Sequence, residues 1–339
     1  MMSKLWAAAA ALIFCIGGTL SGCADSAMPA AEEDSLSIVC TTFPQYDWVS
    51  ALIEGNEAQF SLTLLMDKGG DLHNFQPSAL DIARVSECDL FIYVGGESDG
   101  WVEDALQEAV NADMRVLNMM EVLQGRLVEE EHVEGMEEAA HVKEGFHADE
   151  DHEHEQEYDE HVWLSLRNAE QIVEEIAAQL AVMDSVNAGL YQRNCDRYTA
   201  ALRALDIQFE QAVRAGTKDT LLFADRFPFR YFVEDYGLKY YAAFNGCSAE
   251  TEAGFGTVAY LINKLDALEL GAVIVLDGSD DRLARVVIEN TRDGSHHAVR
   301  QQIYILNSLQ SVSRREIRAG IRYLNVMEEN LKVLRKLLA

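Results

Sequence analysis

Short apolar runs alternate with longer amphipathic segments along most of the chain. Eight runs have the length of strands and are rich in β-branched and aromatic residues. They span residues 37–43, 61–66, 89–94, 115–119, 220–224, 240–244, 272–276 and 303–306. Helical spacing lies between them, at 46–53, 78–86, 100–110, 168–183, 228–236, 256–268, 280–290 and 314–338. This alternation predicts βαβ units and mainly parallel sheets.

One helical segment, residues 184–215, is much longer than the others. Its apolar side chains recur at three-, four- and seven-residue steps, which indicates a surface facing a core. They are Leu190, Tyr191, Tyr198, Leu202, Leu205, Phe209 and Val213. Gly216 ends the segment, and the strand–helix alternation restarts after it. We therefore predict an α/β protein of two lobes, each a mainly parallel sheet flanked by helices, at 36–184 and 217–339. The long helix, 185–216, joins them.

The alternation is interrupted by an acidic insert before the long helix. Residues 126–158 have almost no apolar periodicity, and such a segment cannot bury enough surface to order itself. We expect a mobile loop within the first lobe. Five histidines lie in it among Asp and Glu: His132, His141, His147, His152 and His154.

The first residues predict export and lipid attachment. Lys4 precedes an uncharged, mostly apolar run that is too short for a comfortable membrane span, which is typical of a signal peptide over residues 1–22. Residues 20–23 read LSGC and resemble the bacterial lipobox, in which the cysteine, here Cys23, is acylated. Residues 23–35 are small and polar and predict a flexible tether. The protein is thus expected on the extracytoplasmic face of a membrane.

Net charge and cysteine content further limit the possible functions and structural classes of the chain. The formal net charge of −30 argues against nucleic acid, whose binding depends on Lys and Arg, and favours attraction of cations. A well-hydrated exterior is the plainer interpretation of the same charge. Cysteines beyond Cys23 are spread singly, so neither a disulfide framework nor a zinc ribbon is indicated. Cys40 and Cys88 lie in apolar runs, and we expect buried free thiols there.

Two histidines stand in distinctive frames. His73 lies in residues 70–77, which read GDLHNFQP, and His161 lies in residues 159–164, which read DEHVWL. Imidazole and carboxylate are the ligands that borderline divalent metals take. His73, Asp225 and Asp277 each follow a predicted strand, and ligands of open α/β sheets bind beyond the carboxyl ends of strands. The pattern predicts a metal site in a cleft between the lobes.

These frames resemble the zinc- or manganese-binding substrate-binding lipoproteins of bacterial ABC importers, over essentially the whole mature chain. Further similar segments are 231–238 (YFVEDYGL), 248–252 (SAETE) and 323–331 (YLNVMEENL). The resemblance implies two lobes bridged by a rigid helix, a monomer, capture of a metal ion, and delivery to an ABC permease. It also implies His73 and His161 as ligands, and the histidine-rich insert is typical of zinc importers.

The chain departs from the family at the third ligand. Many zinc members have a histidine where this chain has Arg226, and a guanidinium cannot bind a cation. The expected set is therefore His73, His161, Asp225 and Asp277, with Arg226 holding a nearby carboxylate and the insert histidines as an auxiliary metal collector. Asp280 and Asp281 follow closely and are alternatives to Asp277. Zinc is the favoured ion, although two carboxylates lean towards manganese or iron.

Two other function classes are alternatives to transport. A secreted zinc hydrolase needs an open coordination position and a general base, and neither a His-Glu-x-x-His nor a Gly-x-Ser-x-Gly motif occurs in the sequence. We therefore expect no enzyme. A metal-containing adhesin lipoprotein is the other alternative, and adhesion and transport can coexist.

Overall fold

Two separate parallel sheets organise the chain, as the alternating pattern predicts. The computed structural model describes residues 35–137, 157–246, 248, 252–291 and 301–339. The strands are β1 (Leu36–Cys40), β2 (Phe60–Leu64), β3 (Leu90–Tyr93), β4 (Arg115–Asn118), β5 (Thr220–Phe227), β6 (Lys239–Asn245), β7 (Ala272–Leu276) and β8 (Gln302–Leu306). The first sheet has the strand order β2-β1-β3-β4 and the second has the order β6-β5-β7-β8. Every pairing within the two sheets is parallel.

Helices flank both sheets, and the long predicted helix is present at Ala188–Ala215. The helices are α1 (Phe43–Leu52), α2 (Ala79–Glu87), α3 (Trp101–Gln107), α4 (Met119–Val122), α5 (Leu166–Met183), α6 (Ala188–Ala215), α7 (Arg230–Tyr236), α8 (Phe255–Ala267), α9 (Arg282–Glu289), α10 (Arg314–Arg318) and α11 (Tyr323–Leu337). The two-lobed α/β class predicted from the sequence is confirmed. None of the helices described is long and apolar enough to cross a membrane.

The C-terminal helix differs from its prediction. A single helix over 314–338 is wrong, because the chain breaks between α10 and α11. Gly320 adopts a φ of +91°, a left-handed conformation that ends a helix and that glycine adopts without strain. The new start at Tyr323 is held by Asp47 of α1, whose carboxylate accepts a hydrogen bond from the Tyr323 amide at 2.9 Å. Helix α11 is thereby fastened to the first lobe.

One hydrophobic cluster runs through both lobes. It includes Ile38 of β1, Leu202 of α6, Phe223 of β5 and Leu331 of α11, all nearly inaccessible to solvent. The apolar stripe of α6 thus packs into a shared core, and the helix also contacts α1, α5 and α11. Smaller clusters lie on the outer faces of the two sheets. A continuous core of this kind resists a wide hinge motion between the lobes.

The first residues of the predicted mobile loop are packed in the structure. Residues 126–137 lack periodicity, but Met136 is buried. The Glu137 carboxylate accepts hydrogen bonds from the Gly254 amide (2.9 Å) and the Thr257 hydroxyl (2.7 Å) at the start of α8. These isolated apolar and acidic side chains find partners in the second lobe, which local periodicity cannot reveal. His132 is exposed on this segment, whereas His141, His147, His152 and His154 lie outside the described residues.

The cysteines agree with the predicted free thiols. Cys40, Cys88 and Cys195 are buried and unpaired. Burial raises the pKa of Cys88 to about 12, so its thiol stays protonated and unreactive. Cys23 and Cys247 lie outside the residues described, and acylation at Cys23 stays a prediction.

Candidate metal centre

The loop after β2 positions His73. Asp71 caps a single turn of 3-10 helix, Leu72–Asn74, and accepts a hydrogen bond from the His73 amide at 3.1 Å. The ring atom Nδ1 of His73 lies 2.7 Å from the Ser98 hydroxyl and 3.5 Å from a carboxylate oxygen of Glu160. Because Nδ1 is engaged, Nε2 points away from these partners and is free to bind a ligand.

His161 is held from the other side by a buried carboxylate. Asp159 Oδ1 accepts from the His161 amide (2.8 Å) and lies 3.0 Å from Nδ1 of the same ring. The ring is fully buried and packs edge-on against Trp163. Trp163 is fixed in turn, since its indole NH donates to Ser308 O at 2.8 Å and its carbonyl accepts from Tyr323 Oη at 2.6 Å. A hydrogen bond on Nδ1 fixes the tautomer that leaves Nε2 unprotonated.

Two glycines leave room for this arrangement. A Cβ atom on Gly246 would lie 3.0 Å from the His161 ring and 2.9 Å from Phe227 O. Gly96 has a φ of +81°, and a Cβ atom there would lie 2.4 Å from a Glu160 oxygen. Close approach of backbone to the site therefore requires glycine at both positions.

The two imidazoles face each other through their Nε2 atoms. Nε2 of His73 lies 3.3 Å from Nε2 of His161, although the residues are 88 positions apart in the chain. Two nitrogen ligands of a tetrahedral zinc, each at 2.0–2.1 Å from the ion, are about 3.3–3.4 Å apart. The structure thus holds this pair at the separation that a tetrahedral ion requires.

Gln310, in the segment after β8, lies beside His161 at one side of the histidine pair. Its Nε2 lies 2.6 Å from His161 Nε2, and the side chain is buried. An amide NH₂ facing an unprotonated imidazole is a donor. Rotation of the amide by 180° would place its carbonyl oxygen there instead, where it is a metal donor.

The electrostatic environment of the pair keeps His73 neutral. Burial lowers the pKa of His73 to about 4, and the neighbouring His161 adds to this effect while Asp71 opposes it. Burial also disfavours protonation of His161, but the Asp159 carboxylate outweighs it and the pKa of His161 is raised. On acidification the first proton therefore enters the pair at His161, where it competes with any bound metal.

Arg226 holds a carboxylate beside the pair, as expected from the sequence. It lies near the end of β5, where the pairing with β6 is irregular, and its guanidinium forms an ion pair with Asp71 Oδ2. The other oxygen of Asp71 lies 3.9 Å from His73 Nε2. The Arg226–Asp71 pair therefore joins the second lobe to the loop that carries His73.

The predicted carboxylate ligands are placed differently. Asp225 accepts hydrogen bonds from the Arg226 amide (2.8 Å) and the Leu276 amide (2.9 Å), which tie the end of β5 to β7. The Asp277 side chain is largely exposed. Its pKa is raised, mainly by the part of the carboxyl group that is shielded from water and secondly by repulsion from Glu316. Over the described parts of the chain, no three His, Cys, Asp or Glu side chains form a group that could hold a metal ion. The ligand roles of Asp225 and Asp277 stay predictions.

Sequence reasoning missed Gln310, Asp159 and Ser98 as parts of the site. Ser98 follows β3 and Gln310 follows β8, so the rule that ligands lie beyond strand ends could have found them. Neither residue is ionisable, and a search for metal ligands passes over them. Asp159 belongs to the quoted frame of His161, but only its hydrogen bond reveals its role.

The fold and the histidine pair define a two-lobed α/β protein with a candidate metal centre between its lobes. Residues 38–337 match the family model described as ZnuA, zinc-uptake complex component A, periplasmic. The chain belongs to this family.

Individual relatives agree with the family assignment. The chain is 27% identical over 307 residues to the zinc-binding lipoprotein AdcA of Streptococcus pneumoniae serotype 4, covering 90% of this chain and 56% of the relative. It thus spans about half the length of the AdcA proteins it matches. The high-affinity zinc uptake system protein ZnuA of Bacillus subtilis strain 168 is 25% identical over 321 residues, with 95% and 92% covered.

Solved structures share the fold. The Zn(II)-bound ZnuA-like domain of Streptococcus pneumoniae AdcA superposes with a TM-score of 0.67 at 23% identity, covering 90% of this chain and 99% of the domain. The laminin-binding protein Lmb of Streptococcus agalactiae gives 0.69 at 17% identity, with 90% and 100% covered. At these identities the likeness extends to the fold alone.

Proposed function

We propose that this protein is the extracytoplasmic solute-binding component of an ABC importer for a divalent metal ion, with zinc as the favoured substrate. The observation that carries the proposal is the 3.3 Å separation of the Nε2 atoms of His73 and His161. Membership of the family and the zinc-binding names of the relatives support it.

Capture in this proposal needs little rearrangement. The ion replaces the close contact between the two nitrogens, while Asp159 and Ser98 keep both rings oriented. The amide of Gln310 rotates to offer its oxygen. Because the centre lies between residues of both lobes, a docked permease releases the ion by shifting one lobe slightly against the other. The rest of the predicted set, Asp225 and Asp277, enters the proposal through the strand-end pattern of the sequence and, for Asp277, through the resemblance to the family.

Zinc is favoured by the donors that the structure brings together. Imidazole suits zinc, whereas manganese prefers oxygen-rich sites. The pair of histidines with one neutral amide oxygen has fewer oxygen donors than the two-histidine, two-carboxylate set predicted from the sequence. Manganese or iron stays the alternative. The insert histidines act as an auxiliary collector in this proposal, and His132 is exposed as that role requires.

We infer the cellular location of the protein and its permease partner from the predicted lipid attachment at the N-terminus. Acylation of Cys23 and the tether over 23–35 would place the domain at the outer face of a membrane, within reach of a permease. A monomer suffices, because each residue of the candidate centre comes from this chain.

A metal competition experiment tests the proposed function. The protein beginning at Ala24, with and without residues 138–156, is exposed to equimolar zinc, manganese and iron, and its metal content is measured by mass spectrometry. We expect one tightly held zinc ion in both forms. Manganese or iron in its place would overturn the zinc assignment, and loss of the ion with the insert would move the site into the insert.

The donor at position 310 gives a second test. Gln310→Glu replaces a neutral amide with a carboxylate beside His161, and we expect it to tighten zinc binding about tenfold or more, because zinc binds a charged oxygen more strongly. The dissociation constant is measured by chelator competition. Gln302→Glu makes the same change at an exposed position of β8 and is expected to have no effect. Equal affinities of Gln310→Glu and the unmodified protein would remove Gln310 from the coordination sphere.

A further inference from the structure

We propose that Asp71 is a third ligand of the metal ion and that Arg226 competes with the ion for its carboxylate. This inference rests on the proposed function, since it assumes an ion at His73 and His161.

Asp71 is the carboxylate best placed to join the histidine pair. Its Oδ1 lies 3.9 Å from His73 Nε2. In the described residues, Asp71 and the two histidines do not form a ready three-ligand group. Two donors on one tetrahedral zinc are about 3.3 Å apart, so Asp71 Oδ1 has to move on the order of half an ångström closer to His73 Nε2 when the ion binds. The same oxygen accepts the His73 amide at 3.1 Å, which fixes the carboxylate relative to the ligand loop. The side chain is 12% exposed.

The other acidic groups near the pair are less suitable. Glu160 faces Nδ1 of His73, on the opposite side of the ring from Nε2. Asp159 is hydrogen-bonded to Nδ1 of His161 and is likewise turned away from the two Nε2 atoms. Asp225 has both oxygens on backbone amides, at the ends of β5 and β7. Asp71 alone among these four presents an oxygen towards an Nε2 atom.

Arg226 supplies a built-in cation for this carboxylate. A buried carboxylate without a partner is costly, and the guanidinium on Oδ2 neutralises it while no metal is bound. The guanidinium is always charged and never a ligand. When the dication arrives, two cations share one carboxylate and repel each other in a poorly hydrated cleft. Arg226 therefore weakens metal binding. It also favours release, because its guanidinium, which belongs to the second lobe, neutralises the Asp71 carboxylate when the ion leaves.

A double-mutant cycle on the mature protein tests the inference. Zinc dissociation constants are measured by chelator competition for the unmodified protein, Asp71→Asn, Arg226→Gln and the double variant. We expect Asp71→Asn to weaken binding at least tenfold and Arg226→Gln to tighten it at least tenfold. The gain from Arg226→Gln should be much smaller in the Asp71→Asn background. The amide side chain introduced by Asp71→Asn keeps an oxygen that can accept the His73 amide, so the cap of the 3-10 turn is retained.

A matched ion pair provides the control. Asp67 lies in the same loop and pairs with Arg314 of α10 in the second lobe. Asp67→Asn and Arg314→Gln change the same charges across the lobes and are expected to leave the affinity unchanged.

The outcomes separate the two proposals. If His73→Ala abolishes binding while Asp71→Asn leaves it unchanged, Asp71 is not a ligand and the proposed function stands. Weaker zinc binding by Arg226→Gln would overturn the proposed competition between Arg226 and the ion, because Arg226 would then strengthen metal binding. If neither histidine matters, the proposed function itself falls. A zinc-loaded crystal structure decides independently of mutation: Asp71 Oδ1 within about 2.2 Å of the ion is expected, and a distance beyond hydrogen-bonding range would overturn the assignment.

Discussion

Replacing His73 by alanine is expected to abolish tight zinc binding while leaving the fold intact. Apparent zinc-binding free energies of about 10–16 kcal/mol are shared among four ligands, so the loss of one weakens binding about 100- to 1,000-fold. The ring lies at the cleft, with a side chain that is 9% exposed, and Ser98 is its shortest hydrogen-bond contact. The free energy of unfolding of the metal-free protein should therefore change by no more than about 1 kcal/mol.

Chelator competition at neutral pH measures the affinity, and thermal unfolding of the metal-free protein checks the fold. His132→Ala is the matched control, because it removes an exposed histidine of the insert flank and should leave the tight site unchanged. Unaltered zinc affinity in His73→Ala would contradict the site assignment. A large loss of stability without metal would instead show that the imidazole has a structural role.

Asp159→Asn is expected to weaken zinc binding about 10- to 100-fold, although Asp159 does not touch the ion. Its carboxylate orients the His161 ring and makes the imidazole a better donor, and removal of such a partner typically has an effect of this size. Asparagine keeps the shape and loses the charge. The pKa of His161 is raised by Asp159 against the effect of burial, so the substitution should also lower that pKa.

The pH profile distinguishes this role from simple misfolding. Protons compete with zinc for His161, so affinity falls as the pH drops through the raised pKa of that group. In Asp159→Asn the fall should move to lower pH, while the plateau affinity at higher pH is reduced. Asp235→Asn is the control, since Asp235 is a half-buried carboxylate bonded to Ser165 that contacts neither histidine. An unchanged midpoint in Asp159→Asn would show that the carboxylate does not tune the ring.

Local pattern predicted the strands well, because each is a short apolar run bounded by polar loops. All eight predicted strands occur, each end within three residues of its prediction. The prediction failed where long-range contacts override periodicity. The helical spacing continues through Gly320, but the left-handed glycine and the hydrogen bond from Tyr323 to Asp47 divide the segment into two helices. Residues 126–137 lack periodicity and are nevertheless packed on the second lobe.

Residue type and local sequence motifs were enough to identify the family, the two α/β lobes and the long helix α6, and to select His73 and His161 as candidate ligands. These properties are written in short stretches of sequence, where imidazoles, apolar spacing and turns are visible. The meeting of the two Nε2 atoms, the choice of Asp71 as the partner of Arg226, and the place of Gln310 beside His161 required the folded chain. They join residues between 88 and 155 positions apart, and such contacts depend on how two sheets and a shared core pack, which no local pattern specifies.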